Sequence, residues 1–242
     1  IADRLAALDP TRYPNADGAY AAIEQQTGQG RDRVLLTPGS DGALRSLFQA
    51  YVAPGDSVAV VRPSYAMYEV YAQLAGAAVR AVDCGDDLRF DPRELASRVE
   101  SGTRLVLIAN PNQPTGSLID HADLGVVVDA AERVGALMVV DEAYAPFAGH
   151  SSREAFGDNP NVVVLQSFSK AWGLAGLRIA ALYAAPPVIT AASAVRSVYD
   201  INAAALAALE VLLAHPDVVA AYRDEVSTCL LYTSDAADDT PC

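Results

Sequence analysis

Apolar positions along this chain follow two alternating rhythms. Short continuous apolar runs, rich in Val, Ile and Leu, recur at residues 34–37, 57–61, 78–82, 104–110, 137–143, 162–168 and 177–184. Runs of that length bounded by turn residues predict strands buried on both faces. Between most of them the apolar residues return every three to four positions, at 18–27, 40–51, 65–75, 92–100 and 121–134, which predicts helices. Three further helices are expected at 186–197, 201–214 and 216–226, with His215-Pro216 marking a break. Strands alternating with helices predict an α/β fold with a mostly parallel seven-stranded sheet covered on both faces, three layers in all.

In such sheets ligands bind beyond the carboxyl ends of the strands. Polar residue types collect at four of those ends: Pro38-Gly39-Ser40-Asp41-Gly42, Asn110-Pro111-Asn112-Gln113-Pro114-Thr115-Gly116, Asp141-Glu142-Ala143-Tyr144 and Gln166-Ser167-Phe168-Ser169-Lys170. Gly, Pro, Asn and Asp are also ordinary turn formers. One such cluster carries little information, whereas four successive ones point to a site.

Composition narrows the chemistry. Of the 17 Lys plus Arg residues, only Lys170 is lysine. Arginine replaces lysine on most solvated surfaces, but its guanidinium cannot form an imine, so the one retained lysine is a candidate nucleophile. A strand-end lysine among small residues is expected to gain amine reactivity from desolvation. A net charge of -13 without any basic run argues against a nucleic-acid partner. No stretch approaches the roughly 20 apolar residues of a membrane span, and the N-terminus carries no signal-peptide pattern, so a cytoplasmic location is expected. Cys84, Cys229 and Cys242, and His121, His150 and His215, have no metal-ligand spacing, and no metal is expected.

Gly39-Ser40-Asp41 at a predicted helix start offers backbone N–H groups to a phosphate, with hydroxyls from Ser167 and Ser169 and a guanidinium from Arg178 beside them. Plain N-capping is the competing reading for Ser40 and Asp41.

At residues 167–178, Ser-Phe-Ser-Lys-Ala-Trp-Gly-Leu-Ala-Gly-Leu-Arg, the chain resembles the cofactor-lysine signature of the class I/II, fold-type-I aminotransferases. The histidinol-phosphate aminotransferase group is the nearest pattern. Supporting motifs stand in the family's order: Arg12-Tyr13-Pro14, Gly39-Ser40-Asp41, Pro63-Ser64-Tyr65-Ala66-Met67-Tyr68, Asn110 to Gly116 and Asp141 to Tyr144. The resemblance covers residues 11–226 and implies a large domain that binds pyridoxal 5'-phosphate. It implies that Lys170 holds the cofactor as a Schiff base and shuttles a proton, and that Asp141 pairs with the pyridinium nitrogen. Tyr144 and Asn112 would then bond the phenolic oxygen, with Tyr65 stacked on the ring. Ser40, Asp41, Ser167, Ser169 and Arg178 would hold the phosphate, and Tyr13 would reach a partner subunit's phosphate in a homodimer. The implied reaction is a ping-pong transfer of an amino group between an amino acid or histidinol-phosphate-like amine and a 2-oxo acid. A decarboxylase of phosphorylated amino acids and a non-catalytic ligand-binding domain of the same fold are the alternatives.

Two departures bear on substrate: Gly42 stands where the group usually has an acid, and Val198-Tyr199-Asp200-Ile201-Asn202 only approximates its Pro-Tyr-Asn-x-Asn segment. Family members extend beyond both ends of this chain. The expected organisation is an arm at 1–15, a cofactor-binding large domain at 16–197 and helices at 198–226 leading into a small domain that is largely missing. Residues 227–242 match nothing in the family and read as a non-native tail, expected to stay outside the packed fold.

Overall fold

The computed structural model describes residues 1–149 and 151–239, with side chains described as far as residue 229. Its sheet contains β1 (Val34–Thr37), β2 (Ser57–Arg62), β3 (Ala78–Asp83), β4 (Thr103–Ala109), β5 (Leu137–Asp141), β6 (Val162–Ser167) and β7 (Ala180–Tyr183). The strand order is β1-β7-β6-β5-β4-β2-β3. Strands β2 to β6 pair in parallel, and β7 lies antiparallel between β6 and β1.

The helices are α1 (Ala2–Ala6), α2 (Asp17–Thr27), α3 (Gly39–Tyr51), α4 (Met67–Leu74), α5 (Pro92–Ser97), α6 (His121–Val134), α7 (Ala145–Ala148), α8 (Ser152–Phe156), α9 (Pro186–Ala194), α10 (Ala203–Leu213) and α11 (Pro216–Asp239). Two apolar clusters sandwich the sheet. One gathers Ile23 of α2, Leu95 of α5, Leu124 of α6 and Leu209 of α10; the other gathers Leu44 and Leu47 of α3, Tyr68 of α4 and Ile189 of α9. Strand residues alternate between them: in β5, Met138 and Val140 join the first cluster and Leu137 and Val139 the second. That period of two explains why the inner strands such as β5 carry no polar face, since both faces are buried, whereas the edge strand β3 is largely half-buried or exposed. Each fully buried Leu contributes roughly 1.5–3 kcal/mol.

Helix starts follow the cap residues. Asp120 accepts a hydrogen bond from Asp123 N at 2.8 Å to open α6, Asp91 does so for α5 with Pro92 at the first helical position, and Asn202 accepts from Ala205 N at 2.8 Å to open α10.

Several boundaries differ from the sequence pattern for physical reasons. The helix expected from Tyr65 starts at Met67. The run 177–184 shortens to β7 because Ala175–Leu177 forms a 3-10 turn and Arg178 adopts φ 56, a left-handed conformation incompatible with a strand. The short helices α1, α7 and α8 were not anticipated, since four or five residues show no readable period. Helix α11 continues past Val226 to Asp239, so the expected break at Ser227 is corrected. The side chains of Leu230 and Leu231, expected to stay out of the core, lie outside the described residues. Among the described residues no single helix is long and apolar enough to cross a membrane.

Candidate active site

The strand ends converge as the topology requires. A cleft of about 230 Å³ is lined by Ser40, Asp41, Tyr65, Asp141, Tyr144, Ser167, Ser169, Lys170 and Arg178, together with Pro111 and Gln113. Residues from β1, β4, β5 and β6 thus meet within one concavity, and nine of the eleven residues expected at the site line it.

Side-chain parity along β5 and β6 decides which groups arrive. Asp141 and Ser167 follow Val139 and Leu165 onto the α3/α4 side of the sheet, whereas Glu142 and Gln166 line a separate pocket. Asp141 is buried, accepting from Tyr68 Oη at 3.2 Å and from Ala143 N at 3.1 Å. Burial outweighs those bonds and raises its carboxyl from the usual 3.8 to about 6, with Asp41 and Glu142 adding repulsion. Among the described residues no lysine or arginine pairs with it. Tyr68 was not singled out from the sequence. Its signal was its place three residues after Tyr65 on the same helical approach, and burial beside Asp141 raises its hydroxyl well above 10.

At the opposite end of the cleft, α3 starts behind Pro38 with no side-chain cap, so its first-turn amides at Gly39, Ser40 and Asp41 remain available to an anion. Arg178 stands beside them, Nη1 donating to Ser169 Oγ and Nη2 to Asp41 Oδ2, each at 3.5 Å. A Cβ on Gly39 would come within 2.5 Å of Arg178 Nη2, and Gly39 itself has φ 76, so this approach requires glycine. Arg178 holds a left-handed backbone despite its side chain, local strain of the kind that concentrates at functional positions. Ser167 Oγ is buried and accepts from Ser169 N at 3.2 Å, fixing the loop that carries both serines and the lysine.

Tyr65 bridges the two ends, donating from Oη to Asp41 Oδ1 at 2.8 Å. Its hydroxyl is raised above its ordinary range by desolvation and by the Asp41 contact. Asp41 therefore acts through its carboxylate as well as its amide, which the sequence reading did not foresee. Lys170 lies with Nζ 5.3 Å from the Tyr144 ring centroid. The lysine is exposed at the cleft mouth, so the desolvation expected around it is not supplied by these neighbours.

Two expected residues sit elsewhere. Asn112 is buried in its own loop: Nδ2 donates to Pro63 O and Thr115 Oγ1, both at 2.9 Å, while Oδ1 accepts from Ser64 Oγ at 2.7 Å. All its polar atoms brace the loop, and Gln113 is the residue of that segment whose side chain borders the cleft. Tyr13 is 77% exposed and stacks on Tyr199 at 4.3 Å, away from the cleft. Trp172 packs edge-on against Phe168 in the core behind the lysine loop.

The sequence profile described as aminotransferase class I and II matches residues 11–229. A histidinol-phosphate aminotransferase of Mesorhizobium japonicum is 39% identical over 81% of this chain and 57% of its own length. An aromatic amino acid aminotransferase of Rhodococcus jostii is 36% identical over 96% of the chain and 67% of its own. The structure of a histidinol-phosphate aminotransferase from Sinorhizobium meliloti, in complex with pyridoxal-5'-phosphate, superposes with a TM-score of 0.89 at 26% identity, covering 98% of this chain and 65% of that one. The chain thus spans only part of the length of its relatives.

Proposed function

From the premise that this chain belongs to the class I and II aminotransferases, we propose that it binds pyridoxal 5'-phosphate in the Lys170 cleft and moves an amino group between an amino acid and a 2-oxo acid. The observation that carries the reading is the pairing of opposite needs across one concavity: a buried acid without a cation at one end and an uncapped helix start beside an arginine at the other. A protonated ring nitrogen would supply what Asp141 lacks, and a phosphate would meet the donors of α3, Ser169 and Arg178.

When bound, the cofactor supplies an electron sink for negative charge developing at the substrate α-carbon. Asp141 would accept from the ring N–H and keep that nitrogen protonated. Tyr68 and the Ala143 amide orient that carboxylate. Lys170, the only lysine in the chain, would hold the cofactor through its amine and would move a proton at the substrate α-carbon. Tyr144, next to Lys170, and Gln113, on the cleft wall, would donate to the cofactor's phenolic oxygen, and Tyr65, also on the cleft wall, would flank its ring. Phosphorylated amines of the histidinol-phosphate type and amino acids with free side chains both present the required amine. Tyr13, exposed and remote from its own cleft, is assigned to contact with a second copy in a homodimer, which sedimentation equilibrium of the wild type against Tyr13→Ala checks.

Incubating the chain with pyridoxal phosphate, reducing with borohydride and mapping the adduct by mass spectrometry tests the cofactor site. A phosphopyridoxyl group confined to Lys170, and lost in Lys170→Met, is the expected result. A folded protein without an adduct would overturn the reading.

A further inference from the structure

The anion-binding end of the cleft holds a group that an anion should avoid. Asp41 stands in the first turn of α3, where an acid is ordinarily a favourable partner of the helix dipole. Its carboxylate turns outward instead: Oδ1 accepts from Tyr65 Oη at 2.8 Å and Oδ2 from Arg178 Nη2 at 3.5 Å. Tyr71 of α4 donates to the backbone carbonyl of the same residue at 3.5 Å, and the charge of Asp141 is felt across the cleft. Asp41 thus faces the same guanidinium that a phosphate needs. Charge counting sharpens the conflict. Two acids, Asp41 and Asp141, and two cations, Lys170 and Arg178, line the cleft. Under the cofactor reading Asp141 faces a protonated ring nitrogen and the Lys170 amine is taken up by the cofactor, which leaves Arg178 to balance both Asp41 and a phosphate.

We infer that Asp41 selects the protonated form of the phosphate: the ester binds as its monoanion, with its P–O–H group donating to the Asp41 carboxylate while the α3 amides, Ser169 and Arg178 meet the other oxygens. The inference rests on the reading of this end of the cleft as the phosphate site. The ester keeps the proton that it already carries as a monoanion, and no other bond changes. Oδ2 has capacity for such a donor, because its one contact, to Arg178, lies at the long edge of hydrogen bonding and both side chains are partly exposed. A fully ionised oxygen beside it meets a like charge, whereas a protonated one forms an O–H···O⁻ bond of the strong, charge-assisted kind. Asp41 is then a filter as well as a ligand. Sulfate, and the carboxylates of an amino acid or a 2-oxo acid, are also attracted to Arg178 but have no proton to offer, so the acid repels them.

Inorganic phosphate and sulfate, alike in size and shape, separate the cases at about pH 6, where phosphate keeps a proton and sulfate has none. Each is titrated into the full cofactor-free chain while the Gly39 and Ser40 amides are followed by NMR, with borohydride trapping of pyridoxal phosphate at Lys170 read in parallel. Phosphate is expected to bind at least about tenfold more tightly than sulfate. Asp41→Asn keeps an acceptor for Tyr65 and removes the charge; it is expected to abolish that preference and to tighten sulfate binding. ³¹P NMR of the reduced wild-type adduct gives a second reading, with a titration midpoint expected above the roughly pH 6 of a free phosphate monoester. Sulfate binding as tight as phosphate, no response of either amide to phosphate, a preference that survives Asp41→Asn, or an adduct midpoint at or below about pH 6 would overturn the inference. With trapping intact, those outcomes leave the cofactor assignment standing. A folded wild type that prefers phosphate without trapping at Lys170 overturns the cofactor assignment alone.

Discussion

Asp141 and Glu142 are adjacent, both acidic and both buried, yet they occupy two differently built regions. Glu142 turns away from the cleft, where Ser151 Oγ donates to it at 2.5 Å, Ser152 N at the start of α8 donates as well, and Arg153 lies nearby. Its own chain satisfies it. Asp141 turns into the cleft and receives one hydroxyl and one amide, with no cation. Burial raises the proton affinity of both, but only one retains capacity for an outside partner. A buried acid with a full set of donors is structural; under the proposed function, the one left short of charge beside open space is where the cofactor's ring nitrogen would dock.

Removing the satisfied acid is expected to have the largest effect. Glu142→Ala leaves Ser151 Oγ and Ser152 N without their acceptor and should lower stability by about 2–4 kcal/mol in urea denaturation. A loss below about 1 kcal/mol would erase the contrast between the two regions.

The opposite sign is expected on the cleft side. Because the folded-state value of Asp141, about 6, lies above its usual 3.8, the fold binds that proton more tightly than the unfolded chain does. The resulting burden is absent below about pH 4, grows through the interval and is complete above about pH 6. Asp141→Asn should therefore stabilise the cofactor-free chain by on the order of 2 kcal/mol at pH 8 and leave it unchanged at pH 4, while weakening pyridoxal phosphate binding. Equal destabilisation at both pH values would show that Asp141 is as structural as its neighbour.

The smallest change sharpens the comparison. Tyr68→Phe deletes one donor to Asp141 and should cost about 1 kcal/mol above pH 6, with little cost below pH 4. It should also push the Asp141 carboxyl still higher, measurable by ¹³C NMR titration of that carboxyl.

Much of this was legible in the sequence because it follows from periodicity. The strand ends at Thr37, Ala109, Asp141 and Ser167 fall within two residues of where the apolar runs stop, and they brought Ser40, Asp141 and Lys170 to one rim. What escaped depended on rotation about single bonds and on competition for donors. Asn112 and Gln113 are neighbours of similar chemistry, and nothing in their identities says that Asn112 becomes locked between Pro63, Ser64 and Thr115 while Gln113 faces the cleft. Tyr68 escaped for a related reason: an aromatic on a buried helix face reads as core until the acid beneath it is placed.

The single reversed strand has a consequence for how the molecule assembles. β7 joins β1 to the rest of the sheet, pairing Val34 with Tyr183, residues that lie 149 positions apart in the chain. Such a closure is entropically slow and tends to come after the local strand–helix–strand units have formed. Asp141 and Lys170 belong to those local units; Ser40 follows β1, and Arg178 lies just before β7. Closure entropy alone would therefore bring the acid and the amine together before α3 and Arg178 join them. A phosphate that binds those donors would favour the completed sheet by mass action.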